Sequence, residues 1–308
     1  NGSGIGTFSD RTRDAVRGGG PSDSGRALVE QQGYINGLVY DRNEYAPERP
    51  LADLMQAADL VRVGLAGSLR DFDLVSYQGT TKRLDAIDYK GQPAGYVTEP
   101  AEVVNYVENH DNQTLFDNNA YKLPRATSRA DRARVQVLGA AITSFSQGIA
   151  YFHAGQEVLR SKSMDRNSFN SGDWFNRLDW TYTGNHFGTG LPPKVDNAIN
   201  YPLMQPLLRN AEIKPTPADI AWTRDAFRDL LRIRASSSLF RMRSADDIRQ
   251  RLRFHNAGSG QNPVIIAGHI TGTGYDGANF REVLYLINVD KQAQSVHLAA
   301  EQGKRYRL

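Results

Sequence analysis

A chain of 308 residues is long enough to bury a sizeable core and to hold one large domain or two. Its 37 lysines and arginines nearly balance its 34 aspartates and glutamates, and no dense basic run stands out, which argues against nucleic acid as a partner. The lack of cysteine excludes disulfides, thiolate metal sites and cysteine nucleophiles, and no apolar run approaches the roughly 18–20 residues of a bilayer span.

In chain order, the opening NGSGIGTFSD has neither the charged nor the apolar region of a leader and no initiator methionine, so a mature, trimmed or excised polypeptide is expected. Gly2 to Gly6 imitates a phosphate loop, but no Lys-Ser/Thr follows and no strand precedes, which disfavours a nucleotide-dependent α/β enzyme. Thr7 or Ser9 is expected to cap a helix reaching Val16, which Gly18-Gly19-Gly20-Pro21 stops. Pro50 to about Leu69 carries Leu51, Leu54, Met55, Ala58 and Val61 at helical spacing, interrupted by Gly64 and Gly67. A strand over Val103 to Val107, a helix over Arg129 to Phe145 and a strand over Gly148 to Phe152 give a βαβ rhythm. Such units imply parallel strands with functional groups at their C-terminal ends, where His110 and Asp111 fall.

Pro217 suits the first position of a helix over Ala218 to Arg234. Beyond Phe240 the period changes. Ile248 to Phe254, Val264 to Ile270 and Glu282 to Asn288 read as strands separated by Gly, Ser and Asn turns, and Ser295 to Leu298 as the start of another. The expected division is residues 1–240 and a small antiparallel β domain at 241–308, with its sheet left unfinished.

Two stretches carry chemistry. His110-Asp111-Asn112 ends a buried strand amid Asn105, Tyr106, Glu108, Asn109, Gln113, Asp117, Asn118, Asn119 and Tyr121, an expected amide- and hydroxyl-rich rim suited to sugar hydroxyls. Ser171 to Trp180, SGDWFNRLDW, joins aromatic faces to charged groups, and Asp173 and Arg177 lie four apart, so on a helical turn they face one way and can clamp a hydroxyl. A simple turn after a strand, and a loop whose aromatics cap the core, remain open on these residues alone. His153 and His186 read as loop or rim histidines outside any metal-ligand spacing, and Asp85, Asp88 and Tyr89 as solvated loop residues.

The strings GIGTFSDRTRDAVRGGGP, QQGYINGLVYD, VNYVENHDNQTLFDNNAYK, QGIAYFHAGQEVLRSKS and SFNSGDWFNRLDW closely resemble the C-terminal part of the catalytic barrel of bacterial type I pullulanases and limit dextrinases. These are debranching members of the α-amylase superfamily. The resemblance implies an α/β fold: the C-terminal part of a (β/α)8 (TIM) barrel followed by part of an antiparallel all-β domain, apparently truncated at both ends. It makes Val103 to Asn109 barrel strand seven, Gly148 to Phe152 strand eight and Ala218 to Arg234 the last barrel helix. It implies that Asp111 stabilises the transition state, that His110 binds sugar hydroxyls beside the scissile bond, and that Asn112, Asp173, Trp174, Asn176 and Arg177 contact substrate.

A retaining glycosidase needs a nucleophile and a general acid, two carboxyls about 5–5.5 Å apart. The family takes them from barrel strands four and five, which nothing in this chain matches, and Glu108, Asp117 and Glu157 are not promoted to the vacancy. The implied activity is retaining hydrolysis of α-1,6-glucosidic branch linkages in pullulan and branched dextrins, with this chain inactive alone. Alternatives are a non-catalytic α-glucan-binding fragment that needs a complementary chain, and another debranching type such as isoamylase. No cofactor is required for the chemistry; structural calcium belongs to the family but has no assignable ligands here. The implied partners are a branched α-glucan or maltooligosaccharide and the N-terminal part of the barrel, with no nucleic acid or membrane span. The implied location is extracellular or periplasmic.

Overall fold

The computed structural model describes residues 2–308. Three short parallel strands form its first sheet, with Val103–Asn105 between Thr7–Phe8 and Ile149–Ala150. Thr7 pairs with Val103, Phe8 with Val104, and Val104 with Ile149. Parallel pairing demands long crossovers, and helices supply them. Asp10–Arg17 follows the first strand, and Leu115–Lys122 with Arg129–Phe145 join the second to the third.

Helices cover this sheet through small-residue contacts. Leu51–Leu65 lies on Asp10–Arg17 so closely that a Cβ on Gly64 would come within 2.3 Å of Thr12 Oγ1, which is why a glycine interrupts that helix. Arg129–Phe145 packs its Ala140 and Ala141 against Phe227 and Leu230 of Pro217–Ala235. The latter begins with a full capping box: Thr216 accepts from Asp219 N–H, Asp219 reaches back, and Pro217 takes the first turn. Such a cap contributes about 1 kcal/mol.

The second sheet is antiparallel, with Ile265–Thr271 central between Leu252–His255 and Glu282–Asn288. One hydrophobic core runs from Val16 and Val61 through Ile142 to Ile266 and Ile287. Polar ties reinforce the junction. Tyr34 O–H donates to Pro263 O at 2.9 Å, Gln147 donates to Leu239 O and accepts from Met242 N–H, and Phe145 stacks on Tyr285 with centroids 5.1 Å apart.

Several expected elements change. Thr7 belongs to a strand, because it pairs with Val103; Ser9 precedes the helix and makes no side-chain capping bond. The helix from Leu51 ends at Leu65, where Gly67 and Ser68 turn left-handed. The second strand stops at Asn105, short of Val107 and Asn109, since Tyr151 N–H to Asn105 O is the last ladder bond before the two chains part. Only Ile149–Ala150 of the third is paired. Ile248 to Phe254 is not one strand: Ser244 caps a helix over Ala245–Arg251, with Ala245, Ile248 and Leu252 on the inner side, and the strand starts at Leu252. Ser295 to Leu298 has no strand partner and leads into a turn at Ala299–Glu301.

Candidate active site

The segments after the second and third strands meet where Glu108 faces His153, and Tyr106 reaches Asp10 at the start of the helix that follows the first strand. Residues 109–112 form the tip of the segment after the central strand. His110 and Asp111 have side chains 80% and 69% exposed, with His110 Nε2 3.3 Å from Asp111 Oδ1. Asp111 N–H donates to Asn109 Oδ1, Asn112 adopts a left-handed φ of 59°, and its amide donates to Pro21 O at 3.1 Å in the loop after the helix Asp10–Arg17. The tip is therefore tied by backbone and amide bonds while its imidazole and carboxylate stay free.

Beneath the tip lies a dry polar floor. The expected rim is mostly interior: Asn105, Tyr106, Glu108, Gln113, Asp117, Asn118, Asn119 and Tyr121 are all buried, and only Asn109 is half-exposed. The chain turns inward at Tyr106, and a buried polar group must then find a partner. Tyr106 O–H donates to Asp10, and the Arg13 guanidinium binds Asp10, Asp14 and the Tyr106 oxygen. Glu108 accepts from Leu115 N–H and faces His153 Nδ1 at 3.1 Å. Arg160 lies 3.2 Å from His153 Nε2. A guanidinium can only donate, so this arrangement calls for the neutral imidazole with its proton on Nδ1. His153 is thus a bracketed scaffold residue, not a rim group.

Burial governs the charges here. It raises the Asp117 carboxyl to about 6, against the pull of hydrogen bonds from Ser161 and the Lys162 and Met164 backbone. It lowers Lys162 to about 8, with Asp117 opposing, and Lys162 Nζ donates to His110 O at 3.0 Å. Arg17 falls to about 10 and holds Val107 O and Gln113 O. Lys122 falls to about 7 and donates to Gln31 O.

The second patch connects through Arg160, whose Nη2 donates to Asn176 O at 2.6 Å. A chain of contacts therefore runs Glu108, His153, Arg160, Asn176 from the central strand to this loop. Its helix covers only Gly172–Asn176, and Arg177 is extended at φ −56°, ψ 139°. The helical turn expected to align Asp173 with Arg177 ends at Asn176, so Arg177 lies outside it, and the two side chains are not paired with each other among the described residues. Both are exposed. Asn176 spends its amide on Ser168 O and Gly172 O. Trp174 is 54% exposed, its indole N–H donating to Thr189 O and its ring edge-on to His186 at 5.0 Å. Burial holds His186 below its ordinary pKa.

Residues 182–308 match the family model described as alpha-1,6-glucosidases, pullulanase-type, C-terminal. The chain is 44% identical over 86% of its length to pullulanase 1, chloroplastic, of Arabidopsis thaliana, and 42% identical over 86% to a pullulanase of Klebsiella pneumoniae. It covers 28% and 24% of those proteins, so it spans about a quarter of the length of these relatives. The crystal structure of PulA from Klebsiella oxytoca superposes with a TM-score of 0.90 at 38% identity, over 94% of this chain and 28% of that one. Residues 182–308 thus carry the pullulanase-type C-terminal domain, and the chain as a whole is similar to the C-terminal part of pullulanases. A structure of the Klebsiella pneumoniae pullulanase complexed with maltotriose gives 0.89, with the same identity and coverage.

Sequence reasoning missed the groups that build the floor. Arg13, Asp14 and Arg17 of the helix Asp10–Arg17 are buried, and Tyr89, expected to be a solvated loop residue, is half-buried and donates to Asp14 at 2.7 Å. Lys90 reaches the same carboxylate. Charges of both signs one helical turn apart, flanked by a glycine run, were the available signal. Asp85 and Asp88 keep accessible positions, Asp85 paired with Arg83 and Asp88 accepting from Gly91 N–H. No helix among the described residues is long and apolar enough to cross a membrane.

Proposed function

We propose that this chain forms part of a retaining debranching hydrolase acting on α-1,6-glucosidic linkages of branched α-glucans such as pullulan. In this reading the three parallel strands are neighbouring staves of a (β/α)8 barrel, whose functional face is the end where the strand C-termini open. The observation that carries the proposal is the pairing of an exposed His110 and Asp111 with a rigid, buried mount at that end. A carboxylate fixed beside a sugar ring stabilises the positive charge of an oxocarbenium-like transition state more than it stabilises the ground state.

Asp111 is assigned that electrostatic role and His110 a hydroxyl contact. Asn112 sets the tip by binding Pro21 O, so its contribution to substrate is positional. Trp174 offers an indole face for a pyranose, with Asp173 and Arg177 as separate hydroxyl contacts and Asn176 as a loop staple. The nucleophile and the acid come from outside the chain, in the additional length that its relatives have. That length also pairs the outer strands, whose Phe8 and Ile149 are exposed. The substrate class is maltooligosaccharide-bearing glucan, a reading supported by the maltotriose complex of the Klebsiella pneumoniae relative. Because such polymers are too large to import, the proposed site of action is outside the cytoplasm.

The test is product release from pullulan. A longer, active protein containing this chain should yield maltotriose, the 308-residue chain alone none, and Asp111→Asn in the active protein should lower turnover by about 10²–10³-fold, the scale of one preorganised charge. Near-normal turnover in that variant would refute the role given to Asp111. Maltotriose from the short chain would refute the missing carboxylates.

A further inference from the structure

The antiparallel sheet carries a second cluster that has no part in the glucan-binding loops. His255 pairs with Ala267, and His269 with Arg253, so the two imidazoles stand diagonally on one face of the sheet, their ring centroids 5.6 Å apart. Glu301 arrives from the turn at Ala299–Glu301 and sets Oε1 2.7 Å from His255 Nε2. That nitrogen is nevertheless buried without a well-formed hydrogen bond. The oxygen lies off the direction in which an N–H would point, as two ligands facing a common centre do.

The remaining donors sort themselves. Lys304 Nζ binds Glu301 Oε2 at 2.9 Å and Glu282 Oε2 at 2.8 Å, and Tyr306 O–H also reaches both carboxylates. Glu301 Oε2 is therefore occupied and Oε1 is left for the histidines. His269 Nε2 lies 3.3 Å from Glu282 Oε2, which places a second carboxylate at the margin of the cluster. One ligand atom from each of His255, His269 and Glu301 falls within 4.8 Å of the others. Ligands of a tetrahedral ion sit about 3.3 Å apart for bonds of roughly 2.0–2.1 Å, a closure within reach of side-chain rotation.

We propose that His255, His269 and Glu301 form a binding site for a divalent transition-metal ion of the zinc type, which fastens residues 299–306 across the sheet. Two imidazoles and one carboxylate suit zinc and its neighbours, whereas calcium and magnesium favour all-oxygen sets. The fourth position falls to water or to Glu282. The site is structural: it joins the last segment to two consecutive strands that precede it in sequence, and it is independent of the hydrolase reading.

The test titrates the full chain, freed of metal by chelation, with zinc ion and separately with cobalt(II). One equivalent should bind, and cobalt should give the intense visible absorption of a four-coordinate site, a readout that needs no variant and so survives poor folding of the mutants. His255→Gln, His269→Gln and Glu301→Gln should each weaken zinc binding at least tenfold and abolish the zinc-induced rise in Tm. His297→Gln, at an exposed histidine just before that segment, should leave both unchanged. Absence of saturable binding, a weak six-coordinate cobalt spectrum, full affinity in the three variants, or loss of binding in His297→Gln would each overturn the site.

Discussion

Asp111 and Asp117 lie six residues apart and obey opposite rules. Asp111 sits in the open, held by its backbone N–H alone, and its carboxylate faces solvent and His110. Asp117 is sealed at the start of Leu115–Lys122, where Thr114 caps its N–H and its own oxygens take the Ser161 hydroxyl and the Lys162 N–H. One carboxylate is kept available for a ligand and the other is consumed in holding two loops together. A tip that must meet substrate cannot satisfy itself internally, so its rigidity is supplied by the buried layer below it.

The largest expected effect comes from breaking the floor. Asp117→Ala leaves the Ser161 hydroxyl and the Lys162 N–H without their acceptor and removes the negative charge that opposes the burial of the Lys162 ammonium, and should destabilise by about 3–5 kcal/mol in urea unfolding. A loss below about 1 kcal/mol would show that the floor does not carry the fold. Asp111→Asn, by contrast, should leave Tm within a degree or two, because its side chain is exposed.

Lys122 sharpens the comparison through pH. Burial lowers it to about 7, with Asp23 opposing and Arg17 reinforcing, while the unfolded side chain titrates near 10.5. Between those values the unfolded chain binds more protons than the folded one, so this group makes stability rise with pH from about 7 to 10.5, by up to about 1.4 kcal/mol per pH unit. Lys122→Met should flatten that rise and stabilise the protein most below pH 7, where the folded lysine is forced to carry its charge. An unchanged pH profile would place the ammonium in solvent.

The smallest effect belongs to the outer loop. Trp174→Ala removes an indole that is 54% exposed and bonded only to Thr189 O, so Tm should hold while maltooligosaccharide affinity falls about fivefold, roughly 1 kcal/mol, by calorimetry in an active longer protein. Equal losses of affinity and stability would mean that Trp174 is a core cap.

Local chemistry determined much of this molecule. Thr216, Pro217 and Asp219 fix a helix start by satisfying its free N–H groups, and the β-rich run at Glu282–Asn288 is a strand with the bounds its composition suggests. The βαβ order also followed from sequence, and with it the placement of His110 and Asp111 at a strand's C-terminal end. Tertiary structure decided which polar residues would be dry. The polar residues after Asn105 look like a rim, but Arg13 and Glu108 find their partners in Tyr106 and His153, 93 and 45 residues away. No local period encodes such pairs. His255, His269 and Glu301 converge for the same reason: strand pairing and a returning segment bring together side chains whose spacing in the chain carries no signal. Helix caps and strand periods are short-range properties that a sequence displays directly, whereas the burial of a charge depends on where its partner lands.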